Sequence, residues 1–353
     1  MNPCARVQIV QHLCAGGIEV MAIEAMRCDS ELITVALEGV AEDAIERWPL
    51  LAPFADRLIF LNKRTGIDPF AFGRLIRHLH RLRPRAVLSH HIGPLLYGGL
   101  AARLVGVRCF GYLEHDVWHL DDPRQRRLQS IAMRLLRPVP LAVAEYVATC
   151  MNKALPTGAV TVCYAPLDCD RFAPGVKSCA LPADKRIVGT AARLEPVKGV
   201  DRIIRTLAFL PEDVHLIVAG DGSARADLER LAQDEEVAGR VTFLGRVDDM
   251  PAFYRACDLF VLASRAEGLP LTLIEAQACG VPAVATDAGG SIEALAGGTC
   301  AIVQGEPAKA LARMIEARLN IHEQPDPRAF ACDRFDGRSN LRRLWARIED
   351  IGR

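Results

Sequence analysis

Short, nearly continuous apolar runs alternate along this chain with longer stretches whose apolar residues recur every three or four positions. Arg6-Val7-Gln8-Ile9-Val10 reads as a first strand, and strand-like runs return at 32–37, 57–61, 86–89, 108–113 and 141–144. Helix-like runs separate them, as at 69–82 and 94–104. From Tyr164 to Lys185 the alternation stops, and residues 165–175 are rich in proline and turn formers, so a domain boundary falls there. A second series starts at Arg186, with strands predicted at 215–219, 241–244, 258–262, 282–286 and 299–303. Its helices are predicted at 200–210, 224–234, 270–278 and 307–319. A last helix, 338–351, carries Leu341, Leu344, Trp345 and Ile348 on one face, which needs a surface to cover. Strand–helix alternation of this kind predicts an α/β chain of two Rossmann-like, doubly wound parallel sheets. The boundaries expected are 1–165, a linker at 166–185, and 186–337.

The chemistry gathers around Arg265-Ala266-Glu267-Gly268-Leu269-Pro270-Leu271-Thr272, which follows a predicted strand and opens a helix ending at Cys279-Gly280. Pro270 suits the first helical position, and Gly280 suits a left-handed cap. Helix-start amides between Gly268 and Thr272 then form an anion site at a strand's carboxyl end. Glu267 precedes this helix and Glu275 lies on it, one able to face a sugar and the other to grip a diol. Three further loops end predicted strands: Arg193 through Lys198-Gly199, Gly220-Asp221-Gly222, and Gly245-Arg246-Val247. Arg193 and Lys198 can neutralise a diphosphate without a metal. Phosphate, sugar and diol together read as a nucleotide-sugar. In the first half, Gly16-Gly17 precedes a helix, Glu114-His115-Asp116 ends a strand, and His90-His91 ends another. The carboxylates beside His115 are expected to hold it charged or to fix its tautomer. No third ligand at metal spacing stands beside His90-His91, which argues against zinc.

Composition narrows the picture. Among 353 residues the formal net charge is zero, giving no case for nucleic acid. The twelve cysteines include no C-x-x-C pair and fit a reducing cytoplasm. The N-terminus lacks a signal peptide's apolar core, and no apolar stretch reaches the ~20 residues of a membrane span. Charge is uneven, however: residues 57–137 hold fifteen Lys and Arg against five acids. Arg124, Arg126, Arg127, Arg134 and Arg137 share a helix with Leu128, Ile131 and Leu135, a pattern suited to an anionic membrane or to a solvated face. Asp168-Cys169-Asp170 has a D-x-D form, read here as turn and cap residues.

Gly189…Arg193-Leu194…Lys198-Gly199, Ala219-Gly220-Asp221-Gly222, Gly245, Glu267-Gly268-Leu269-Pro270…Glu275-Ala276 and Gly280-Val281-Pro282 together resemble the retaining, GT-B-fold glycosyltransferases of family four. The resemblance implies two domains facing across a cleft, with helix 338–353 packing back onto the first. It implies Arg193, Lys198, Gly16 and Gly17 at the donor diphosphate, and Glu267, Gly268, Leu269, Pro270 and Leu271 at the donor sugar. It places Glu275, Val247 and Gly220 at ribose and base, and His115 with Glu267 at the reacting centre. No metal and no cofactor are implied. The donor would be UDP- or GDP-linked and the acceptor a saccharide or a lipid-linked sugar, in bacterial cell-surface polysaccharide or glycolipid synthesis. The enzyme would be cytoplasmic, peripheral on the inner face of the plasma membrane. Where the family often has Asn-Gly-(Ile/Val)-Asp, this chain has Ala165-Pro166-Leu167-Asp168. Alternatives are a nucleotide-sugar epimerase, which would act without an acceptor, and a catalytically silent partner subunit. A dinucleotide oxidoreductase is disfavoured because the first loop lacks G-x-G-x-x-G.

Overall fold

A computed structural model describes residues 6–14, 16–177, 184–297, 301–303, 307–321 and 326–351. The chain forms two compact units, Met1–Asp168 with Asp336–Arg353, and Cys169–Phe335.

The first unit runs β1 (Arg6–Val10), α1 (Gly17–Cys28), β2 (Leu32–Ala36), α2 (Ala41–Arg47), β3 (Leu58–Phe60), α3 (Pro69–Leu82), β4 (Ala86–His90), α4 (Ile92–Leu104), β5 (Cys109–Glu114), α5 (Pro123–Leu136), β6 (Val139–Ala142), α6 (Glu145–Ala154) and β7 (Thr161–Val162). Its sheet is parallel, in the order β3-β2-β1-β4-β5-β6-β7. Every residue of β4 is buried, so its apolar residues Ala86-Val87-Leu88 run on without the alternation of a half-exposed strand, and Ser89 and His90 are buried polar groups at its end.

The second unit runs β8 (Arg186–Ala191), α7 (Val200–Leu207), β9 (Val214–Ala219), α8 (Arg225–Asp234), β10 (Val241–Gly245), α9 (Met250–Ala256), β11 (Leu259–Leu262), α10 (Leu271–Ala278), β12 (Ala283–Thr286), β13 (Ala301–Val303), α11 (Pro307–Leu319) and α12 (Pro327–Phe335). Its parallel sheet has the order β10-β9-β8-β11-β12-β13. Both sheets reverse their winding beside the first strand, at β1/β4 and at β8/β11. Such reversals open crevices at the carboxyl ends of strands.

Local chemistry sets the helix ends. Asp68 caps α3, its Oδ1 accepting from the amides of Phe70 (2.9 Å) and Ala71 (3.0 Å), with Pro69 in the first turn. The helix predicted at 200–210 ends instead at Leu207, where the chain tightens into turns with Phe209 N donating to Thr206 O and Leu210 N to Leu207 O before Pro211. Helix α2 has no buried residue, hence no apolar stripe to announce it. Helices α6, α9 and α12 are likewise absent from the sequence expectation, being only two to three turns long. Residues 299 and 300 of the last predicted strand lie outside the described residues.

The final helix, α13 (Gly337–Ile351), packs on α1, β4, β5 and β6 of the first unit. Trp345 and Ile348 are fully buried, and the Arg6 guanidinium lies 5.5 Å over the Trp345 ring while Nε donates to Glu349 (3.1 Å). Among the described residues, no helix is long and apolar enough to cross a membrane.

Candidate active site

In the second unit, the loops after β8, β9 and β11 are tied to one another by backbone. Arg265 N donates to Val197 O (2.7 Å), Leu194 N to Asp221 O (2.9 Å) and Ala224 N to Leu194 O (2.8 Å). Gly199 makes one of the two closest backbone approaches, the other being Gly220 against Ala192 O. The φ of Gly199 is +66°, and a Cβ there would stand 1.9 Å from Ala263 O. Arg265 grips Asp201 with a two-pronged fork, both contacts 2.8 Å, which anchors the loop to the first turn of α7. Thr286 Oγ1 donates to Ser264 O (2.6 Å), which adds the end of β12.

This bracing presents Glu267 and Lys198 to each other. Lys198 Nζ lies 2.8 and 3.0 Å from the two Glu267 oxygens, and Ser264 Oγ donates to Oε1 at 2.6 Å. Glu267 is 7% exposed, so these donors replace the water its charge has lost. Pro270 is the N-cap of α10 with extended backbone (φ −77°, ψ 101°), not its first helical residue. The amides from Leu271 onward form the first turn, where an α-helix has no internal acceptors for them. Gly280 takes the left-handed conformation (φ +82°) just beyond Cys279. Glu275 is buried, and its Oε2 accepts from Tyr254 Oη at 2.6 Å. Burial first, and then the Glu275 charge, hold the Tyr254 hydroxyl well above its ordinary range.

The other predicted residues sit at the ends of β8, β9 and β10. Arg193 is exposed and lends charge to Glu195, whose carboxyl is lowered chiefly by hydrogen bonds from Ser223. Gly220 (φ +127°) donates to Gly245 O at 2.7 Å, Val247 is half-buried, and Arg246 faces Asp248 at 3.6 Å.

In the first unit, the β1/β4 crevice carries a chain of rings. Gln8 Nε2 donates to Ala22 O and Thr34 Oγ1, both 2.8 Å, which leaves Gln8 Oε1 to accept from His90 Nε2 (3.2 Å). His90 Nδ1 must then accept, and His115 Nε2 donates to it at 2.9 Å. The lone pair of His115 Nδ1 remains. Of the two expectations the charged one is not favoured, since burial, then the neighbouring His90 and His91, push His115 well below its ordinary value; its tautomer is fixed instead through His90. His90 is brought down to about 3 by burial and by the His91 charge. Gly16 caps α1 in extended conformation, and a Cβ on Gly17 would meet open space.

Glu114 and Asp116 serve other partners. Glu114 is fully buried and accepts from the Tyr112 hydroxyl and from Gln129 Nε2 (2.8 Å). His119 Nε2 meets Gln129 Oε1 at 2.6 Å and Glu114 Oε2 at 3.4 Å. Asp116 stands between His91 Nε2 (3.4 Å) and His119 Nδ1 (3.6 Å). Burial opposes charge on His119, but Asp116, Glu114 and Gln129 raise it to about 10. His91 is also raised, against burial, by Asp116 and Glu114. Burial would raise the Asp116 carboxyl, but these imidazoles depress it below the carboxylate range. The sequence offered no third ligand beside His90-His91; the fold brings Asp116 and His119 to His91 instead. Asp168 and Asp170 belong to no group at metal-ligand spacing among the described residues.

Ser264, Tyr254, Gln8, Gln129 and His119 were not singled out from sequence. Ser264 follows a predicted strand and carried a usable signal. The others reach their partners only through tertiary packing.

Residues 176–329 match the family described as glycosyl transferases group 1, and residues 7–171 the family described as glycosyltransferase family 4. A D-inositol 3-phosphate glycosyltransferase of Mycobacterium tuberculosis is 36% identical over 185 residues, covering 49% of this chain and 38% of that protein. The match therefore spans well under half of that relative's length. Anabaena HepE, crystallised with UDP and glucose, superposes with a TM-score of 0.82 at 20% identity, over 98% of this chain and 99% of that one. Sucrose-phosphate synthase from Thermosynechococcus elongatus gives 0.73 at 19% identity, over 99% and 97%. These two likenesses are of GT-B-type fold.

Proposed function

Because this chain belongs to the group 1, family 4 glycosyltransferases, we propose that it transfers a hexose-type sugar from a nucleotide-diphosphate donor to an acceptor hydroxyl, with retained anomeric configuration. The observation that carries this reading is the Lys198–Glu267 pair at the β8/β11 reversal, beside the start of α10. Lys198, exposed Arg193 and the first-turn amides of α10 supply positive charge for a departing diphosphate, so no divalent ion is needed there. Glu267, with Gly268, Leu269, Pro270 and Leu271, is assigned to the donor sugar. Glu275, aimed by Tyr254, is assigned to the ribose diol, and Gly220 and Val247 to the ribose and base. In the first unit, the His115 Nδ1 lone pair suits a sugar hydroxyl, and the Gly16-Gly17 helix start suits an anion. The acceptor attacks on the face the leaving phosphate vacates, and that phosphate takes the acceptor's proton. HepE's complex with UDP supports a uridine donor; a GDP-sugar is the other candidate.

The acceptor is proposed to be a saccharide or lipid-linked sugar of the bacterial cell surface, met at the inner face of the plasma membrane. Exposed Leu128, Ile131 and Leu135 lie among exposed Arg124, Arg127 and Arg134 on α5, which suits an anionic bilayer. The test is incubation with UDP- and GDP-hexoses in EDTA, with products read by mass spectrometry and NMR. Nucleotide release with an α-configured product from an α-donor is expected. Epimerised donor without transfer, or transfer at the diphosphate that requires a divalent ion, would contradict the proposal.

A further inference from the structure

Beyond the donor chemistry, the ends of β4 and β5 together hold a cluster that the proposed transfer does not use. His91, Asp116 and His119 each offer one ligand atom, and these atoms all lie within 4.8 Å of one another. Asp116 Oδ2 is 3.4 Å from His91 Nε2, and Oδ1 is 3.6 Å from His119 Nδ1. Bonds of ~2.1 Å to a tetrahedral ion place neighbouring ligand atoms about 3.4 Å apart. We propose that these three side chains form a binding site for one divalent transition-metal ion of the zinc type.

Three observations support it. His119 Nδ1 is buried and has no hydrogen-bond partner among the described residues, although its side chain is only 8% exposed. Nδ1 stands 3.6 Å from Asp116, longer than a hydrogen bond, and an ion that displaces the proton on Nδ1 would bridge that gap. Second, the other nitrogen of His119 is already held. Nε2–H donates to Gln129 Oε1 at 2.6 Å, and Gln129 is oriented by donating to Glu114 and Tyr112, both 2.8 Å. That outer support fixes Nδ1 as the ligating atom, as metal-bound imidazoles require. Third, His91 sits at φ +69°, ψ 174°, a conformation almost confined to glycine. The strain aims a histidine where any glycine would relieve it. Two imidazoles and one carboxylate suit zinc or cobalt better than magnesium or calcium. An ion would pin the 115–119 segment to the β4–α4 corner. Its fourth position would face the more open side, where Asp116 and His91 are 21% and 26% exposed.

The test needs no nucleotide-sugar, so it stands or falls apart from the proposed function. The EDTA-washed full chain is titrated with Co²⁺ and followed by visible absorption, and with Zn²⁺ by calorimetry. One-to-one uptake is expected, with ligand-field bands and no thiolate charge-transfer band. Asp116→Asn and His91→Asn should weaken uptake at least about tenfold. Asparagine keeps the size of the aspartate, and at position 91 it removes the imidazole while leaving a small polar side chain. Both variants, melted without metal, report whether the fold survives; a variant that melts early is replaced in the comparison by the other. Cys14→Ser should change nothing. No uptake by the parent would overturn the site. So would uptake unchanged in both Asn variants, or uptake abolished by Cys14→Ser, which would assign the ion to the separate His12, Cys14, Glu19 group.

Discussion

Glu267 and Glu275 are both carboxylates with little exposure, 7% and 6%, yet they are sustained differently. Glu267 is neutralised by Lys198, and in the proposed reading Lys198 exchanges that carboxylate for the donor phosphate. Glu275 is oriented by the Tyr254 hydroxyl, donated at 2.6 Å from a fully buried ring. Tyr254→Phe removes that donor from the carboxylate. Its expected effect is a donor KM raised about fivefold, the worth of ~1 kcal/mol of hydrogen bond, with kcat little changed. A fall in kcat with KM constant would show that Tyr254 acts elsewhere. Glu267 and Lys198 were legible because each follows a predicted strand, and Glu275 because it lies on the helix that opens after Glu267. Tyr254 and Gln8 were not legible: their partners lie 21 and 82 residues away, and only packing brings them together.

At the scale of elements, two devices hold the phosphate-side loops. The first is Gly199, where backbone passes against backbone. Gly199→Ala places a methyl into Ala263 O at positive φ and should lower the melting midpoint by the equivalent of about 2–4 kcal/mol. Gly239→Ala, where nothing lies within 4 Å and φ is not positive, should cost under about 1 kcal/mol. Equal shifts in the two would dismiss the close-approach argument. The second device is the Asp201–Arg265 fork. Burial alone would raise the Asp201 carboxyl, but Arg265 and then Arg205 bring it below its ordinary 3.8. A depressed carboxyl stabilises the fold above the unfolded value and loses that contribution as pH falls below it. Asp201→Asn should therefore melt earlier than the parent at pH 7, by about 0.5–1 kcal/mol for a part-exposed pair. The gap should close in thermal scans taken below about pH 4; a gap that widens in acid would refute the fork. Hydrophobic pattern disclosed the long elements, since α3 and α11 bury a stripe. Short α9 and the wholly unburied α2 gave no such period to read.

For the whole molecule, the parallel order of both sheets followed from strand–helix alternation. The side-chain knot of His91, Asp116 and His119 did not, because its members sit on two loops that the pairing of β4 with β5 brings together. The basic, apolar face of α5 makes a further claim at this scale. The full chain should co-sediment with vesicles containing anionic lipid at low salt and be released as salt screens the attraction. Equal binding to neutral vesicles would remove the electrostatic part of that reading. The central claim is that the β8/β11 crevice turns over a nucleotide-sugar with the protein's own charges. It is tested most directly by steady-state nucleotide release from the accepted donor by Arg193→Ala, Lys198→Ala and Glu275→Ala proteins that melt like the parent. The account predicts kcat/KM reduced about 100-fold or more in each cation variant and at least about fivefold in Glu275→Ala through KM. Turnover at the parental rate in all three would contradict it.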